Sequence, residues 1–188
     1  MILAGVIEQG RVVLRIFILI IIIVLNFVLQ TTLGAHISIV NVTPNTALAL
    51  IVSYAILRGD IEGALFGFFA GLLQDVSGGM IIGLFALIGF VVGYFCGKPF
   101  KEFEKANYLL PFAVVVVSSL FSHFVVFVVT VMFTGQLAIS NYLQTIVLPG
   151  TIYTAVVSIP IYIIFHFINK KLEKREDRFR SIIGDKRL

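Results

Sequence analysis

Long uninterrupted apolar runs constrain this chain more than any other feature of its sequence. The segments VVLRIFILIIIIVLNFVL (12–29) and AVVVVSSLFSHFVVFVVTVMF (113–133) contain only one Lys, Arg, Asp or Glu, which is Arg15. Apolar runs of about 18 residues or more suit a bilayer span, whereas core helices of soluble domains have shorter ones. Of the 188 residues, 59% are apolar and 13% are charged, compared with about half and about a quarter in soluble domains. We therefore predict an all-α integral membrane protein.

Six apolar segments, separated by charged or turn-forming residues, define the predicted transmembrane helices. Their limits are 12–33, 37–57, 61–76, 80–97, 108–133 and 142–168. We accordingly divide the chain into a six-span transmembrane domain, 1–169, and a cytoplasmic tail, 170–188. The first span lacks the small-residue cleavage site of a signal peptide, so we expect it to be retained. Only Ser77, Gly78 and Gly79 separate the third span from the fourth, which predicts a tight antiparallel hairpin.

The positive charges set the predicted orientation. With six spans, all 14 Lys and Arg residues fall on one side of the membrane. The connections on the opposite side, 34–43, 77–79 and 134–141, contain none. Because cytoplasmic loops carry the excess of Lys and Arg, both termini are predicted to be cytoplasmic. The basic tail either fixes this orientation as a solvated helix end or docks a cytoplasmic partner, and its interleaved acidic residues argue against nucleic-acid binding.

The sequence lacks a recognisable set of catalytic, cofactor-binding or metal-binding residues. It contains no P-loop, no HExxH motif and no nucleophile elbow. The single cysteine, Cys96, lies in an apolar run, and His36, His123 and His166 fall on different predicted segments. We therefore expect neither an enzyme nor a cofactor or metal site. His123, near the middle of the fifth span, either bonds a neighbouring helix or contacts a substrate, an ion or a partner.

Small residues recur at helical spacing in the third and fourth spans. Gly63, Gly67, Gly71 and Asp75 are each four residues apart and therefore share one helix face. Gly79 directly precedes the fourth span, which contains Gly83, Gly89, Gly93 and Gly97. In lipid, Gly-x-x-x-Gly patterns let two helix backbones approach closely. These glycine faces either pack within the fold or receive a helix from another protein.

Asp75 is an ionisable residue inside an apolar segment. It follows Glu62 by 13 residues, which is about 20 Å along a helix and therefore below the surface of a hydrocarbon core about 30 Å thick. A charge at that depth needs a partner or water. We predict that Asp75 caps the start of the fourth span through free backbone amides at the outer turn. The alternative is an outward-facing polar depression that a ligand or a partner uses.

Two short motifs mark the ends of the second span. In Thr43-Pro44-Asn45, threonine is the predicted N-cap and proline suits the first helical turn, so the regular helix is expected to begin at Pro44. Asn45 is expected to bond backbone groups where the chain is not helical. At the other end, Arg58-Gly59 is interpreted as a turn in which Gly59 adopts a left-handed conformation. A contact of Arg58 with a cytoplasmic partner is the alternative.

Taken in order, these residues resemble the motif of the bacterial rod shape-determining protein MreD family. The matching positions are Pro44, Asn45, Arg58, Gly59, Gly63, Gly67, Gly71, Asp75, Gly79 and Gly83. The first, fifth and sixth spans resemble the family only in their hydrophobic pattern. The resemblance implies a non-enzymatic scaffold subunit of the inner-membrane elongation (rod) complex, which supports cell shape and peptidoglycan synthesis. It also implies that the ten matching positions serve structure or partner interaction.

The resemblance further implies partners and a fold. Members of the family bind the bitopic protein MreC by transmembrane-helix packing and, through it, MreB filaments and RodA with its transpeptidase. Their fold is similar to the substrate-binding (S) subunit of energy-coupling-factor transporters, so a vitamin-binding subunit is the alternative function. Two features favour the scaffold. The outer connections contain no charged residue, and 12–33 contains no Ala or Gly with which to dock a transporter core.

Overall fold

The computed structural model describes residues 16–32, 42–77, 81–98, 109–134 and 142–184. Within these residues the regular structure is helical, in agreement with the predicted all-α class. The helices are α1 (Ile16–Thr32), α2 (Thr46–Arg58), α3 (Asp60–Val76), α4 (Leu84–Gly97), α5 (Leu109–Thr134) and α6 (Leu148–Gly184). A short π-helical turn, Leu143–Val147, precedes α6.

Each predicted span overlaps one of these helices, and the ends of the helices differ from the predicted limits of the spans. The second span was predicted from 37, whereas α2 begins at Thr46 and the four residues before it are not helical. The fourth was predicted from 80, whereas α4 begins at Leu84. Positions 37–41 and Gly79 lie outside the described residues. The tail prolongs the last helix, because α6 continues beyond 168 to Gly184.

Two of the described segments are long and apolar enough to cross a membrane by length and composition. They are Pro111–Phe133 in α5 and Leu143–Ile168, which joins the π-helical turn to α6. Helices α1, α2 and α4 are apolar but shorter. At 1.5 Å per residue, the 13 residues of α2 extend about 20 Å, less than a hydrocarbon core of about 30 Å.

Helix α2 lies at the centre of the bundle. Its sequence, TALALIVSYAILR, is apolar on every side, and every residue from Ala47 to Leu57 is buried. A helix of this kind has no face suited to solvent and is stable only when other helices surround it. Helices α3, α4, α5 and α6 all pack against α2. The three largest of the fully buried side chains, Ile51, Ile56 and Val52, come from α2.

Asn45, not Thr43, is the N-cap of α2. Its side-chain Oδ1 accepts a hydrogen bond from the backbone N–H of Leu48 at 2.9 Å. The prediction of Pro44 in the first turn was also wrong, because the helix begins two residues later at Thr46. The backbone N–H of Asn45 donates to Thr154 Oγ1 on α6 at 3.1 Å. The prediction that Asn45 bonds backbone groups at a helical break is confirmed.

The two ends of the bundle are held by different contacts. At the Asn45 end, Thr46 Oγ1 donates to Gln30 Oε1 at 2.9 Å, which ties α2 to α1. At the Arg58 end, the ring of Tyr54 stacks on Phe66 with 4.5 Å between centroids, and Phe165 meets both rings edge-on. This aromatic cluster joins α2, α3 and α6, and such pairs add about 0.5–1.5 kcal/mol each beyond the area they bury.

Candidate functional site

The glycines of α3 and α4 face each other across an antiparallel hairpin. Gly67 lies opposite Gly89, and Gly63 lies opposite Gly93. A Cβ atom built on any of these four residues would overlap the carbonyl oxygen of its opposite glycine. The two backbones are therefore in direct contact, which only residues without a side chain allow.

The same close contact continues at both ends of the hairpin. A Cβ on Gly71 would overlap the backbone of Phe85 and Ala86, and a Cβ on Gly97 would overlap the backbone of Gly59. The glycine face of α3 is therefore covered along its length by α4. The hypothesis that this face receives a helix from another protein was wrong, because no room remains beside it. The alternative interpretation, packing within the fold, is confirmed for these glycines.

Gly59 and Gly83 are glycines for a conformational reason. Gly59 has φ +101° and ψ −176°, and Gly83 has φ +98°, a region that residues with a Cβ rarely adopt. The predicted positive φ of Gly59 is confirmed. Gly59 ends α2 by donating its N–H to Ala55 O at 2.8 Å, and it begins α3 by accepting from Gly63 N–H at 2.9 Å. A single residue thus terminates one helix and initiates the next.

Arg58 occupies the last turn of α2 and is partly buried. A cation at the C-terminus of a helix lies near the partial negative charge of the unsatisfied carbonyl groups, which stabilises it by about 0.3–1 kcal/mol. The acidic residues Asp60 and Glu62 occupy the first turn of α3, where the partial charge is positive. The charges at this junction therefore complement both helix ends.

The carboxylate of Asp75 caps α4 from the preceding helix. It is 3% exposed. Its Oδ1 accepts a hydrogen bond from Phe85 N–H and its Oδ2 accepts one from Ala86 N–H, both at 3.0 Å. The N-cap position of α4 is Gly83, which makes no side-chain bond to the helix. Asp75 therefore supplies the acceptors that a Ser, Thr, Asn or Asp at the N-cap would normally supply.

The two helices that meet at Asp75 have opposite electrostatic effects on its carboxylate. Asp75 is the last residue but one of α3, where the partial charge of the helix end repels a carboxylate. The start of α4 attracts it, and two charge-assisted bonds to amides add to that attraction. The predicted capping role is confirmed. The amides that receive the carboxylate belong to Phe85 and Ala86, so they lie further along the chain than the predicted turn at 77–79.

A seam of buried hydroxyl side chains on α5 and α6 was not predicted from the sequence. Its members are Ser118, Ser119 and Ser122 on α5 and Thr151, Thr154 and Ser158 on α6. Ser119 Oγ donates to Thr151 Oγ1 at 3.5 Å, and Ser118 Oγ lies 3.4 Å from Cys96 Sγ. The recurrence of Ser and Thr at three- and four-residue spacing was the available signal, because such positions share one helix face. Hydroxyl groups of this kind link helices in the absence of water.

His123 lies beside this seam. A Cβ built on Gly150 of α6 would be 3.0 Å from His123 Nε2, so the imidazole packs directly on the α6 backbone. This contact favours the packing interpretation of His123 over a role towards a substrate or an ion. Among the residues that the structure describes, no group of three or more His, Cys, Asp or Glu could hold a metal ion.

The helices and their buried polar contacts indicate the class of protein to which this chain belongs. The described chain is an all-α bundle with exposed apolar helices, two of which are long enough to cross a bilayer. Among its buried polar side chains, Asp75 caps a helix, and Ser119 and Thr151 join two helices. The class is that of helical membrane proteins.

The family follows from comparison with known proteins. The family model for the rod shape-determining protein MreD matches residues 10–172. The chain therefore belongs to the MreD family, a family of membrane proteins that determine rod shape and are not known as enzymes. All ten positions of the motif lie inside the matched region. Searches of curated proteins and of solved structures each found no match.

Proposed function

We propose that this protein is a non-enzymatic scaffold subunit of the elongation complex in the bacterial inner membrane. The observation that carries the proposal is the match to the MreD family over 10–172. The capping of α4 by Asp75 supports it. Both oxygens of that buried carboxylate accept bonds from the backbone of α4. A carboxylate held in this way stabilises a helix start and is not arranged to transfer protons or bind a substrate.

The proposed topology has six transmembrane spans with both termini in the cytoplasm. Its support is the correspondence of six apolar segments with six helices among the described residues, and the placement of every Lys and Arg on one side. The non-helical segment before α2 is partly enclosed by protein, as backbone at membrane depth must be. Val42 and Pro44 are buried, and Thr154 Oγ1 of α6 accepts the N–H of Asn45. Labelling of single cysteines introduced at 36 and 138 from the outside, and at 102 from the inside, tests this topology.

The proposed direct partner is MreC, held by packing of its transmembrane helix against this protein. Through MreC the protein would join MreB filaments at the inner leaflet to RodA and its transpeptidase on the outside. The support is the rigid α3–α4 hairpin, whose backbone contacts give a partner a surface of fixed shape. We also propose that the bundle shares the fold of the S subunit of energy-coupling-factor transporters.

Complementation and co-purification test this function together. In a rod-shaped bacterium from which the native MreD has been removed, the protein expressed with its cognate MreC is expected to restore rods. Tagged protein solubilised from those membranes is expected to recover MreC. Round cells, together with no recovery of MreC from a folded protein, would refute the proposal. Binding of a vitamin at submicromolar concentration would instead support the transporter alternative.

A further inference from the structure

Asn26 is a polar residue in an otherwise apolar stretch of α1. Every other residue from Ile16 to Leu29 is Ile, Leu, Val or Phe. Gln30 follows Asn26 by one helical turn, so the two carboxamides share one face of α1. Both residues are partly buried, and this face therefore lies against the rest of the bundle. A carboxamide in an apolar helix needs hydrogen-bond partners from the protein or from water, because lipid supplies none.

The shared face of Asn26 and Gln30 borders a small cavity between α1, α2 and α3. The cavity measures about 20 Å³, and a water molecule needs at least about 10–15 Å³. Five of its eleven lining residues are polar, namely Asn26, Gln30 and Thr31 of α1 and Gln74 and Ser77 of α3. A neighbouring cavity beside Val24 and Val76 measures about 280 Å³ and is lined by apolar residues alone. The size and the lining of the first cavity therefore suit one water molecule.

The polar groups around this cavity have hydrogen-bonding capacity left. Gln30 Oε1 accepts from Thr46 Oγ1 at 2.9 Å, which leaves the two amide N–H groups of Gln30 as donors. The Ser77 hydroxyl donates to Gln74 O at 2.8 Å, which leaves its oxygen as an acceptor. The side chains of Asn26 and Gln74 form no hydrogen bond with another described residue. The cavity thus offers several donors and acceptors, and a buried water needs about two to four.

We propose that this cavity holds one ordered water molecule, which bridges the carboxamide of Asn26 on α1 to that of Gln74 on α3. Gln30 is a further partner on α1. A bridging water is nearly as favourable in enthalpy as a direct hydrogen bond, and this one satisfies two amide groups that lipid would leave without partners. The site concerns the internal packing of the protein and does not depend on the proposed function.

The bridge has a consequence for how α1 is held. Between helices in lipid there is no hydrophobic driving force, so close packing and interhelical hydrogen bonds determine their association. Leu19, Ile22 and Ile23 of α1 pack on the core, and the Thr46–Gln30 bond joins α1 to α2. The water adds a link to α3 one turn before Gln30. Two polar links along the same face fix the rotation of α1 about its axis.

Radiolytic footprinting tests for the water. An X-ray pulse converts water into hydroxyl radicals, which oxidise the nearest side chains, and mass spectrometry locates the products. The protein is irradiated in lipid nanodiscs with a radical scavenger in the bulk solvent. Phe27, which lines the cavity, is the reporter, and Phe69, which is 58% exposed but does not line it, is the control.

The expected result is oxidation of Phe27 that persists in the presence of the scavenger, and no oxidation of Phe69. Equal oxidation of the two residues, or loss of oxidation at Phe27 when the scavenger is added, would show that the radicals come from bulk water. Either outcome, or the absence of oxidation at Phe27 under both conditions, would overturn the inference.

Asn26→Leu and Gln74→Leu test the bridge itself. Each variant is expected to abolish the oxidation of Phe27 and to raise the unfolding equilibrium constant about fivefold, the worth of one hydrogen bond. The double variant should also raise it only about fivefold, because loss of either carboxamide removes the same bridge. Asn26→Leu combined with Ser158→Ala is the control pair and should be additive, since the Ser158 hydroxyl bonds Ala155 O in its own helix.

Two results with these variants would refute the bridge. One is an additive effect of about twenty-fivefold in the double variant. The other is non-additivity without oxidation of Phe27 in the unchanged protein, which would indicate a direct bond between the carboxamides. Circular dichroism establishes that each variant is folded, and if one single variant does not fold, the other one carries the footprinting comparison.

Discussion

Removal of the Asp75 carboxylate tests the central structural feature of the hairpin. Asp75→Ala deletes two bonds of 3.0 Å and leaves the N–H groups of Phe85 and Ala86 without their acceptors at a site that is 3% exposed. Loss of a neutral N-cap costs about 0.5–2 kcal/mol, and each buried donor left unsatisfied costs about 1–3 kcal/mol. We therefore expect a loss of about 3 kcal/mol in the free energy of unfolding.

Asp75→Asn separates the contribution of the carboxylate charge from that of its hydrogen bonds. One amide oxygen can still accept from one backbone N–H, but the side-chain NH₂ faces the other donor. The expected cost is about 1.5 kcal/mol, roughly the worth of one charge-assisted bond. A similar cost for Asn and Ala would show that both oxygens are needed together.

The assay is reversible unfolding by titration of SDS into mixed micelles, followed by circular dichroism. Ser77→Ala is the matched control, because Ser77 follows two residues later and its hydroxyl donates to Gln74 O at an exposed position. Its effect is expected to stay within about 0.5 kcal/mol. A loss of less than about 0.5 kcal/mol for Asp75→Ala would refute the argument that this carboxylate holds the start of α4.

Three further substitutions separate close packing from backbone conformation and capping. Gly67→Ala places a Cβ against the carbonyl oxygen of Gly89. It should lower the free energy of unfolding by more than about 3 kcal/mol, which exceeds the usual cost of overpacking a core. A neutral effect in the same unfolding assay would contradict the backbone contact. A Cβ on Gly83 would meet no atom within 4 Å, but Gly83 has φ +98°, so Gly83→Ala should cost only about 1–2 kcal/mol of unfolding free energy. A cost equal to that of Gly67→Ala would mean that space is also limiting at position 83. Asn45→Ala removes the hydrogen bond from Leu48 N–H and should lower the free energy of unfolding by about 1 kcal/mol. An unchanged melting temperature would show that the cap is dispensable.

The helices could be predicted from the sequence because apolar runs and their breakers are local signals. The same holds for the roles of Gly59 and Asp75, since a glycine after Arg58 and a carboxylate in an apolar helix each allow few physical solutions. Local sequence does not reveal which backbone amides bind the Asp75 carboxylate. Their identity depends on the left-handed Gly83, which delays α4 by four residues relative to the predicted start at 80.

Pairing across the hairpin was also beyond sequence reasoning. The spacing of four residues shows that Gly67 and Gly89 each lie in a stripe, but their opposition depends on how many residues the connection contains before α4 begins. The buried hydroxyl seam was missed for a different reason. Ser and Thr within helices bond to their own backbone as readily as to a neighbour, as Ser158 does with Ala155 O at 2.6 Å, so their type alone does not indicate an interface.

The cap of α4 has a consequence for how the chain enters the membrane during synthesis. In the proposed topology α3 leaves the ribosome before α4 and carries Asp60, Glu62 and Asp75. A carboxylate costs up to about 2.5–3.5 kcal/mol to insert, the value at the centre of a transmembrane helix. The amides that stabilise Asp75 belong to Phe85 and Ala86, which are synthesised later and reach the carboxylate only when α4 packs on α3. We therefore expect α3 to wait at the translocon and to pass into lipid together with α4, as one two-helix unit.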